Sequence, residues 1–222
     1  LGTLVAVIAY FWKDLVSIFK AVIAGIRSRK PFEDPESRLG WYVILATIPA
    51  GLGGLLLKSK VEAAFSRPVI TAVLLFVTAI MLMLAEIFSR KERSLESFSL
   101  LDAVVMGFFQ LLAIFPGISR SGATISGGLS RGLKREAAAK FSFLMSIPIM
   151  LAAGLLSVLD LVKVPDVGSF LPVLSVGFFA ALGIGYLSIR WLLGFLKTRS
   201  LIPFAVYCAV VSVLTVFIAY FR

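Results

Sequence analysis

The sequence predicts an all-α, polytopic membrane protein whose spanning helices are accompanied by a re-entrant helical hairpin. Hydrophobic residues make up 59% of the 222-residue chain, charged residues only 15%, and the mean hydropathy is +1.01. Such a composition is typical of membrane helices and not of a soluble domain. The formal net charge is +10, but the basic residues stand in short segments between apolar runs. This pattern argues against a nucleic-acid partner and indicates membrane lipids instead.

Five uncharged runs are long enough to cross the bilayer, because a ~30 Å hydrocarbon core needs about 20 helical residues. They are residues 39–57, 68–85, 141–159, 167–189 and 200–221. Residues 13–38 instead alternate apolar and basic side chains at helical spacing, which predicts an amphipathic segment along the membrane interface. The uncharged residues before Lys13 are too few to cross, so we expect the chain to begin partway through a membrane helix.

The run at residues 103–130 differs from the others because Pro116 and Gly117 interrupt it. Proline removes a backbone donor and glycine admits left-handed torsions, so a helix should end before this pair. The two arms are each ~20 Å long, too short to cross alone. We therefore predict a re-entrant hairpin that enters and leaves on one side, with its broken backbone buried in protein.

Arg120 lies just after this break, among the hydroxyls of Ser119, Ser121 and Thr124. An arginine in hydrocarbon is costly, so it normally faces a polar cavity and marks function. The free N–H groups at the start of the second arm would reinforce an anion site there. The alternative is a proline kink with Arg120 extended to the headgroups. That alternative leaves the clustered hydroxyls and glycines unexplained.

The loop charges predict the orientation of the chain. Sixteen of the 22 basic residues fall in four segments, 13–38, 90–93, 131–140 and 190–199, which share one face if the hairpin does not change sides. An excess of Lys and Arg marks the cytoplasmic face. Glu86 could be a functional carboxylate, but we expect a helix-end salt bridge to Arg90. The single Cys208 allows no disulfide within the chain, and the absence of histidine excludes histidine-based metal sites and bases.

The stretch at residues 107–125, GFFQLLAIFPGISRSGATI, closely resembles the second signature of the bacitracin-resistance (BacA/UppP) undecaprenyl-diphosphatase family. Shorter pieces near residues 10–15, 48–50, 140–144 and 202–207 agree with it, so the resemblance covers the whole chain. It implies two inverted repeats in a single membrane domain of residues 1–222. Residues 1–99 would be the remainder of an incomplete first repeat, and residues 100–222 the second.

The resemblance implies a phosphate-binding site at the hairpin. Its catalytic residues would be Arg120, Ser119 and Ser121, and its substrate-binding residues Gly117, Gly122, Thr124 and Gln110. The family's first signature, with acidic residues, serines and a histidine, has no counterpart in this chain. We therefore expect the 222-residue chain alone to be inactive, with its metal ligands and general base unknown.

By this resemblance the protein hydrolyses undecaprenyl diphosphate to undecaprenyl phosphate and inorganic phosphate, which recycles the lipid carrier for cell-wall synthesis and confers bacitracin resistance. A divalent cation, magnesium or calcium, would assist. The fork of Arg120 suits non-bridging phosphate oxygens. The attacking nucleophile is either a serine or an activated water. The implied location is the bacterial inner membrane, and a homodimer is left open.

The chief alternative is a lipid-phosphate flippase or transporter, because secondary transporters also aim broken helices at anions. A phosphatidic-acid-type phosphatase would need paired histidines, which the sequence lacks. A purely structural subunit would leave the cluster around Arg120 without a purpose.

Overall fold

The computed structural model describes residues 1–161, 163 and 167–221. Arg222, the last basic residue of the sequence, lies outside the described residues. The described part is helical apart from turns, loops and one isolated bridge. Its helices are α1 (Gly2–Tyr10), α2 (Trp12–Arg27), α3 (Pro35–Leu56), α4 (Lys58–Phe65), α5 (Pro68–Phe88), α6 (Leu100–Leu112), α7 (Arg120–Ser130), α8 (Arg135–Leu161), α9 (Val167–Thr198) and α10 (Ile202–Tyr220).

Five helices, α3, α5, α8, α9 and α10, are long and apolar enough to cross a membrane. At most 28% of the most apolar window of any of them is buried, which leaves broad apolar faces for lipid. The prediction of an all-α multi-pass membrane protein is confirmed. Several observed helices are longer than the uncharged runs that predicted them. α8 begins at Arg135, before the run at residues 141–159, and α9 continues to Thr198, beyond the run at residues 167–189. Charged residues continue a helix beyond the hydrocarbon core, so an uncharged run gives only its minimum length.

The amphipathic segment predicted at residues 13–38 is not one continuous helix, because α2 covers only its first part and its last four residues belong to α3. α1 and α2 meet at an angle of 74°, the bend expected where a helix turns into the plane of the interface. α2 ends at Arg27, and the chain then turns before α3 begins at Pro35. Pro31 and Pro35 explain this break, because proline has no N–H for an interior helical bond.

The described residues form two compact units. One comprises residues 1–41 and 143–195, in which the rings of Phe11 and Phe143 lie 5.9 Å apart. The other comprises residues 42–142 and 196–221 and contains the whole hairpin. In this second unit α5 packs between α10 and α7, and Ser212 Oγ donates to the Ala72 carbonyl at 2.6 Å. The predicted division into repeats at residues 1–99 and 100–222 concerns the symmetry of the topology and stays a prediction.

The α6–α7 pair is a hairpin of two short arms. α6 has 13 residues and α7 has 11, about 20 Å and about 16 Å of helix, so neither arm can cross a membrane. A Cβ on Gly127 would approach the ring of Phe109, and one on Gly128 would approach Ala138 and the sulfur of Met106. Glycine at these positions therefore lets the two arms pack closely. The predicted interruption at Pro116 and Gly117 falls in the connection between them.

Candidate functional site

The hairpin tip is held against α5 by a glycine that no other residue could replace without strain. Gly117 has φ +98°, in the left-handed region that favours glycine. A Cβ at this position would also collide with the carbonyl oxygen of Thr71 on α5. The sequence motif around Pro116 and Gly117 thus fixes both where α6 stops and how closely the tip approaches α5.

Thr78, on α5, fixes the backbone that leads into α7. Its side chain is fully buried, and its Oγ1 accepts the Ser119 N–H at 3.0 Å. The same hydroxyl lies 3.3 Å from the carbonyl oxygens of Gly117 and Leu74, to which it can donate. Sequence reasoning missed Thr78. The available signal was its hydroxyl inside the apolar run at residues 68–85. A hydroxyl within the membrane needs a hydrogen-bond partner, so its presence indicates a contact with another segment.

Ser119 is the N-cap of α7. Its Oγ accepts the Gly122 N–H at 3.2 Å and lies 3.4 Å from Ser121 Oγ. A Cβ on Gly122 would meet Ser119 and Thr78, so a larger residue would push the cap out of place. The predicted residues Ser119, Ser121, Gly117 and Gly122 are therefore brought together at one turn.

Arg120 and Ser121 are the first two residues of α7. Arg120 is partly buried and Ser121 is exposed, so both side chains are accessible at the helix end. A cation in the first turn of a helix is repelled by the positive end of the helix dipole. No acidic residue in the first turn of α7 offsets this repulsion. An anion bound at this turn would interact favourably with both the guanidinium and the dipole. The arrangement therefore suits an anionic ligand.

Thr124 and Gln110 lie deeper than the tip. Thr124 is buried; its Oγ1 donates to the Arg120 carbonyl at 2.8 Å and lies 2.6 Å from Ser142 Oγ. Gln110 is buried on α6, and its Nε2 donates to the Ala46 carbonyl at 3.4 Å. This geometry favours a supporting role for Thr124, behind the turn that carries Arg120. The substrate-binding roles of both residues stay predictions.

The other end of the hairpin carries a buried ion cluster. Asp102 is fully buried and receives Arg93 through both terminal nitrogens, at 3.0 and 2.6 Å, and Arg131 through Nε at 3.0 Å. Ser99 and Asp102 also form the capping box of α6. Burial alone would raise the pKa of Asp102, but hydrogen bonds from Arg93, Ser99 and Arg131 outweigh it and lower the pKa below its usual value. This cluster ties residues 93–102 to the end of α7.

Glu86 is held by partners other than the predicted one. Its carboxylate receives Arg135 at two positions, one through Nε at 3.0 Å, and lies 3.0 Å from Lys91 Nζ. It also accepts the Leu201 N–H at 3.3 Å. A structural salt bridge was correctly expected, but its partners are Lys91 and Arg135 instead of Arg90. The error arose because α8 begins at Arg135 and brings that residue to α5, which sequence spacing along α5 does not reveal.

A scan for related families identifies the chain's relatives. The family model of the bacitracin resistance protein BacA matches residues 1–214. The chain belongs to the BacA family. It is 39% identical to an undecaprenyl-diphosphatase of Methanosphaera stadtmanae, over 99% of this chain and 82% of the relative. It is 41% identical to one of Myxococcus xanthus (96% and 72% covered) and 44% identical to one of Corynebacterium striatum (93% and 74% covered).

Within this BacA family member, the described residues offer no group of three or more acidic, cysteine or histidine side chains that could hold a metal ion. The buried carboxylates Glu86 and Asp102 are already neutralised by basic residues. The described residues therefore do not fit a cation site. What they do assemble is a helix N-terminus with one arginine and two hydroxyls.

Proposed function

We propose that this protein is an integral membrane phosphatase that hydrolyses undecaprenyl diphosphate. Membership of the BacA family and the names of its relatives support this activity. The single observation that carries it in the structure is the turn at residues 119–121, where Arg120 stands at the N-terminus of a buried helix. In the net reaction water adds across the anhydride P–O bond, which breaks, and inorganic phosphate and undecaprenyl phosphate leave.

Arg120 would bind and neutralise the diphosphate. Its planar fork of donors matches two phosphate oxygens at once, and charge spreads over these oxygens in a loose transition state. The N–H groups and dipole of α7 add positive potential at the same place. Because Thr78 and Ser119 fix the turn through hydrogen bonds, the donors are positioned before substrate arrives.

Ser119 and Ser121 would complete the shell of donors around the phosphate. Ser119 Oγ already serves as the helix cap, and Ser121 is exposed beside it. A serine nucleophile needs a neighbouring base, and the sequence contains no histidine. An attacking water needs such a base as well, so this absence does not choose between a serine and water. We assign the binding of phosphate oxygens to both serines, whichever oxygen attacks the phosphorus.

The expected magnesium or calcium ion enters no step of this mechanism. The described residues contain no carboxylate cluster to hold it, and the expectation still rests on the family resemblance alone. Likewise the bacterial inner membrane, carrier recycling with bacitracin resistance, and a homodimer are parts of the proposal that follow from the family. The multi-pass character is what the spanning helices support directly.

Phosphate release from undecaprenyl diphosphate by the full-length protein in detergent micelles tests the proposed activity. Micelles have no two leaflets, so a flippase or transporter produces no signal in this assay. We expect steady, enzyme-dependent release of inorganic phosphate. An absence of release, with the protein folded as judged by thermal unfolding, would contradict the phosphatase and favour transport.

A further inference from the structure

Two adjoining cavities lie at the end of the hairpin opposite Arg120. The first, of about 370 Å³, is lined by the loop after α5 and the end of α7, including Arg90, Arg93 and Arg131. The second, of about 320 Å³, lies between α5 and the hairpin and is lined largely by apolar side chains, including Leu84 and Phe109. The two cavities share three lining residues, Phe88, Ser89 and Ser130. Together they form one site with a basic end and an apolar end.

The basic end carries an excess of positive charge at its surface. Three arginines line it against one carboxylate, the exposed Glu92, while Asp102 lies behind Arg93 and Arg131. Arg131 contacts Asp102 through Nε, and 34% of its side chain is exposed. The terminal nitrogens of Arg93 are all used by Asp102 and by the carbonyls of Ser97 and Arg131, whereas Arg131 contacts Asp102 through Nε alone. The clamp therefore orients the Arg131 guanidinium at the cavity wall, beside the exposed Arg90. Oriented arginines are suited to phosphate oxygens.

Two unbonded hydroxyls mark the same site. Ser126 is 2% exposed and lines the apolar cavity, and Ser89 lines both cavities. Within the described residues, neither Oγ has a hydrogen-bond partner. A buried hydroxyl without a partner is costly, so a bound molecule that supplies one would stabilise this arrangement.

We propose that these cavities bind one anionic phospholipid, with its phosphate between Arg90 and Arg131 and an acyl chain beside Leu84 and Phe109. The ester and glycerol oxygens would lie near Ser89 and Ser126. Ser130 and Arg120 stand at opposite ends of α7, ~15 Å apart, so this site is separate from the one that would hold the diphosphate. The predicted cytoplasmic side of this end is also where anionic lipids create a negative surface potential.

Titration of the delipidated, full-length protein with phosphatidylglycerol, followed by thermal unfolding in detergent, tests this site. We expect phosphatidylglycerol to raise the Tm at lower concentration than phosphatidylcholine with the same chains. Inorganic phosphate alone should give little shift, since it lacks the chain. Equal effects of the two lipids would overturn the proposal, and a full shift with inorganic phosphate would indicate a free-phosphate site in its place.

Two charge variants at the cavity should act in opposite directions. Arg90→Ala should weaken phosphatidylglycerol binding about fivefold, the effect typical of one basic residue near anionic lipid. Glu92→Gln should strengthen it severalfold. Arg199→Ala removes an exposed arginine of the same unit that lines neither cavity; it is the matched control and should leave binding unchanged. Equal losses for Arg90→Ala and Arg199→Ala would show attraction by net charge and refute the site.

Two further variants separate the chain pocket and the diphosphate site. Leu84→Trp should fill the apolar cavity and weaken both lipids, whereas Leu214→Trp, at an exposed position on α10, should not. Arg120→Ala should retain the whole shift with phosphatidylglycerol. Loss of that shift in Arg120→Ala would place the lipid at the hairpin tip and refute the proposal, independently of whether the protein is a phosphatase.

Discussion

The two ends of the α6–α7 hairpin use arginine in different ways. At the base, Arg93 and Arg131 enclose the fully buried Asp102, so charges of opposite sign are matched within the described fold. At the tip, Arg120 stands at the positive end of a helix dipole, among hydroxyls that hydrogen bonds already hold in place. The Asp102 cluster at the base is therefore a structural clamp, and the tip is organised for the diphosphate. Substitutions at the two ends should separate into losses of stability and losses of activity.

Asp102→Asn should have the largest effect on stability. It leaves two guanidiniums, each about one third exposed, without their buried carboxylate, a change that should cost about 1.5–3 kcal/mol of unfolding free energy. Asp160→Asn is the control, because Asp160 pairs with Lys163 at an exposed position among the described residues and its loss should change stability by less than ~0.5 kcal/mol. Thermal unfolding in detergent compares them. Equal Tm values for the two variants would refute the clamp.

The pH dependence of this difference gives a second check on Asp102. Its pKa in the folded protein lies below the usual value, so its stabilising contribution is present above the unfolded pKa of ~3.9. The contribution is lost as the pH falls through the lower, folded pKa. The Tm difference between wild type and Asp102→Asn should therefore be constant near neutral pH and shrink below about pH 4. A difference that widens on acidification would contradict this assignment.

Arg120→Lys should show that the tip needs a fork of donors and not only a charge. A lysine retains the positive charge but cannot contact two phosphate oxygens in one plane, so we expect kcat/KM to fall about 100-fold. The Tm should stay at the wild-type value, unlike that of Asp102→Asn. Wild-type phosphate release by Arg120→Lys would reduce the role of Arg120 to general attraction of the anion.

Gly117→Ala tests the close approach of the tip to α5. Its positive φ and the clash with the Thr71 carbonyl should together cost more than the ~1–2 kcal/mol of left-handed strain alone. Gly132→Ala is the matched control at the base, since Gly132 has φ +78° but its nearest neighbouring atom, Arg93 Cδ, lies 3.8 Å from the added Cβ. We expect a greater loss of phosphate release in Gly117→Ala. Equal losses of phosphate release in the two variants would mean that backbone strain alone matters and that the close approach of the tip to α5 does not.

Thr78→Val should give the smallest effect of this series. It keeps the shape of the side chain but leaves the Ser119 N–H without its acceptor, which costs about 1–3 kcal/mol. Because the turn that carries Arg120 loosens, we expect kcat to fall about tenfold. Thr215→Val, whose hydroxyl donates only within α10 to Val211, should be close to neutral in both assays. Full activity in Thr78→Val would remove Thr78 from the site.

The sequence predicted the parts of the fold that depend on local composition. The uncharged runs located α3, α5, α8, α9 and α10, and Pro116 with Gly117 located the break in the hairpin. The ends of helices beyond the hydrocarbon core were missed. Charged residues such as Arg135 can be helical where the helix enters water, so the end of an uncharged run does not mark the end of the helix. α4 was not predicted, since its eight polar and apolar residues show no membrane-spanning pattern.

The parts that depend on packing between helices could not be predicted. Thr78 lies 41 residues from Ser119 in sequence, and only the approach of α5 to the tip brings its hydroxyl to that N–H. The pairing of Glu86 with Arg135 likewise spans 49 residues. The motif around Arg120 was visible because several unusual residues are adjacent in sequence. The support from Thr78 comes from another helix, and a hydroxyl in an apolar run does not reveal which N–H it will bind.

Phosphate release per folded molecule by Arg120→Ala tests the central contrast most directly. If the tip is the diphosphate site and the Asp102 cluster is a structural clamp, turnover of undecaprenyl diphosphate should fall about 1,000-fold or more, with the Tm unchanged. Activity close to that of the wild type, or a loss of activity that follows only from a lower Tm, would contradict the assignment of Arg120 to the substrate.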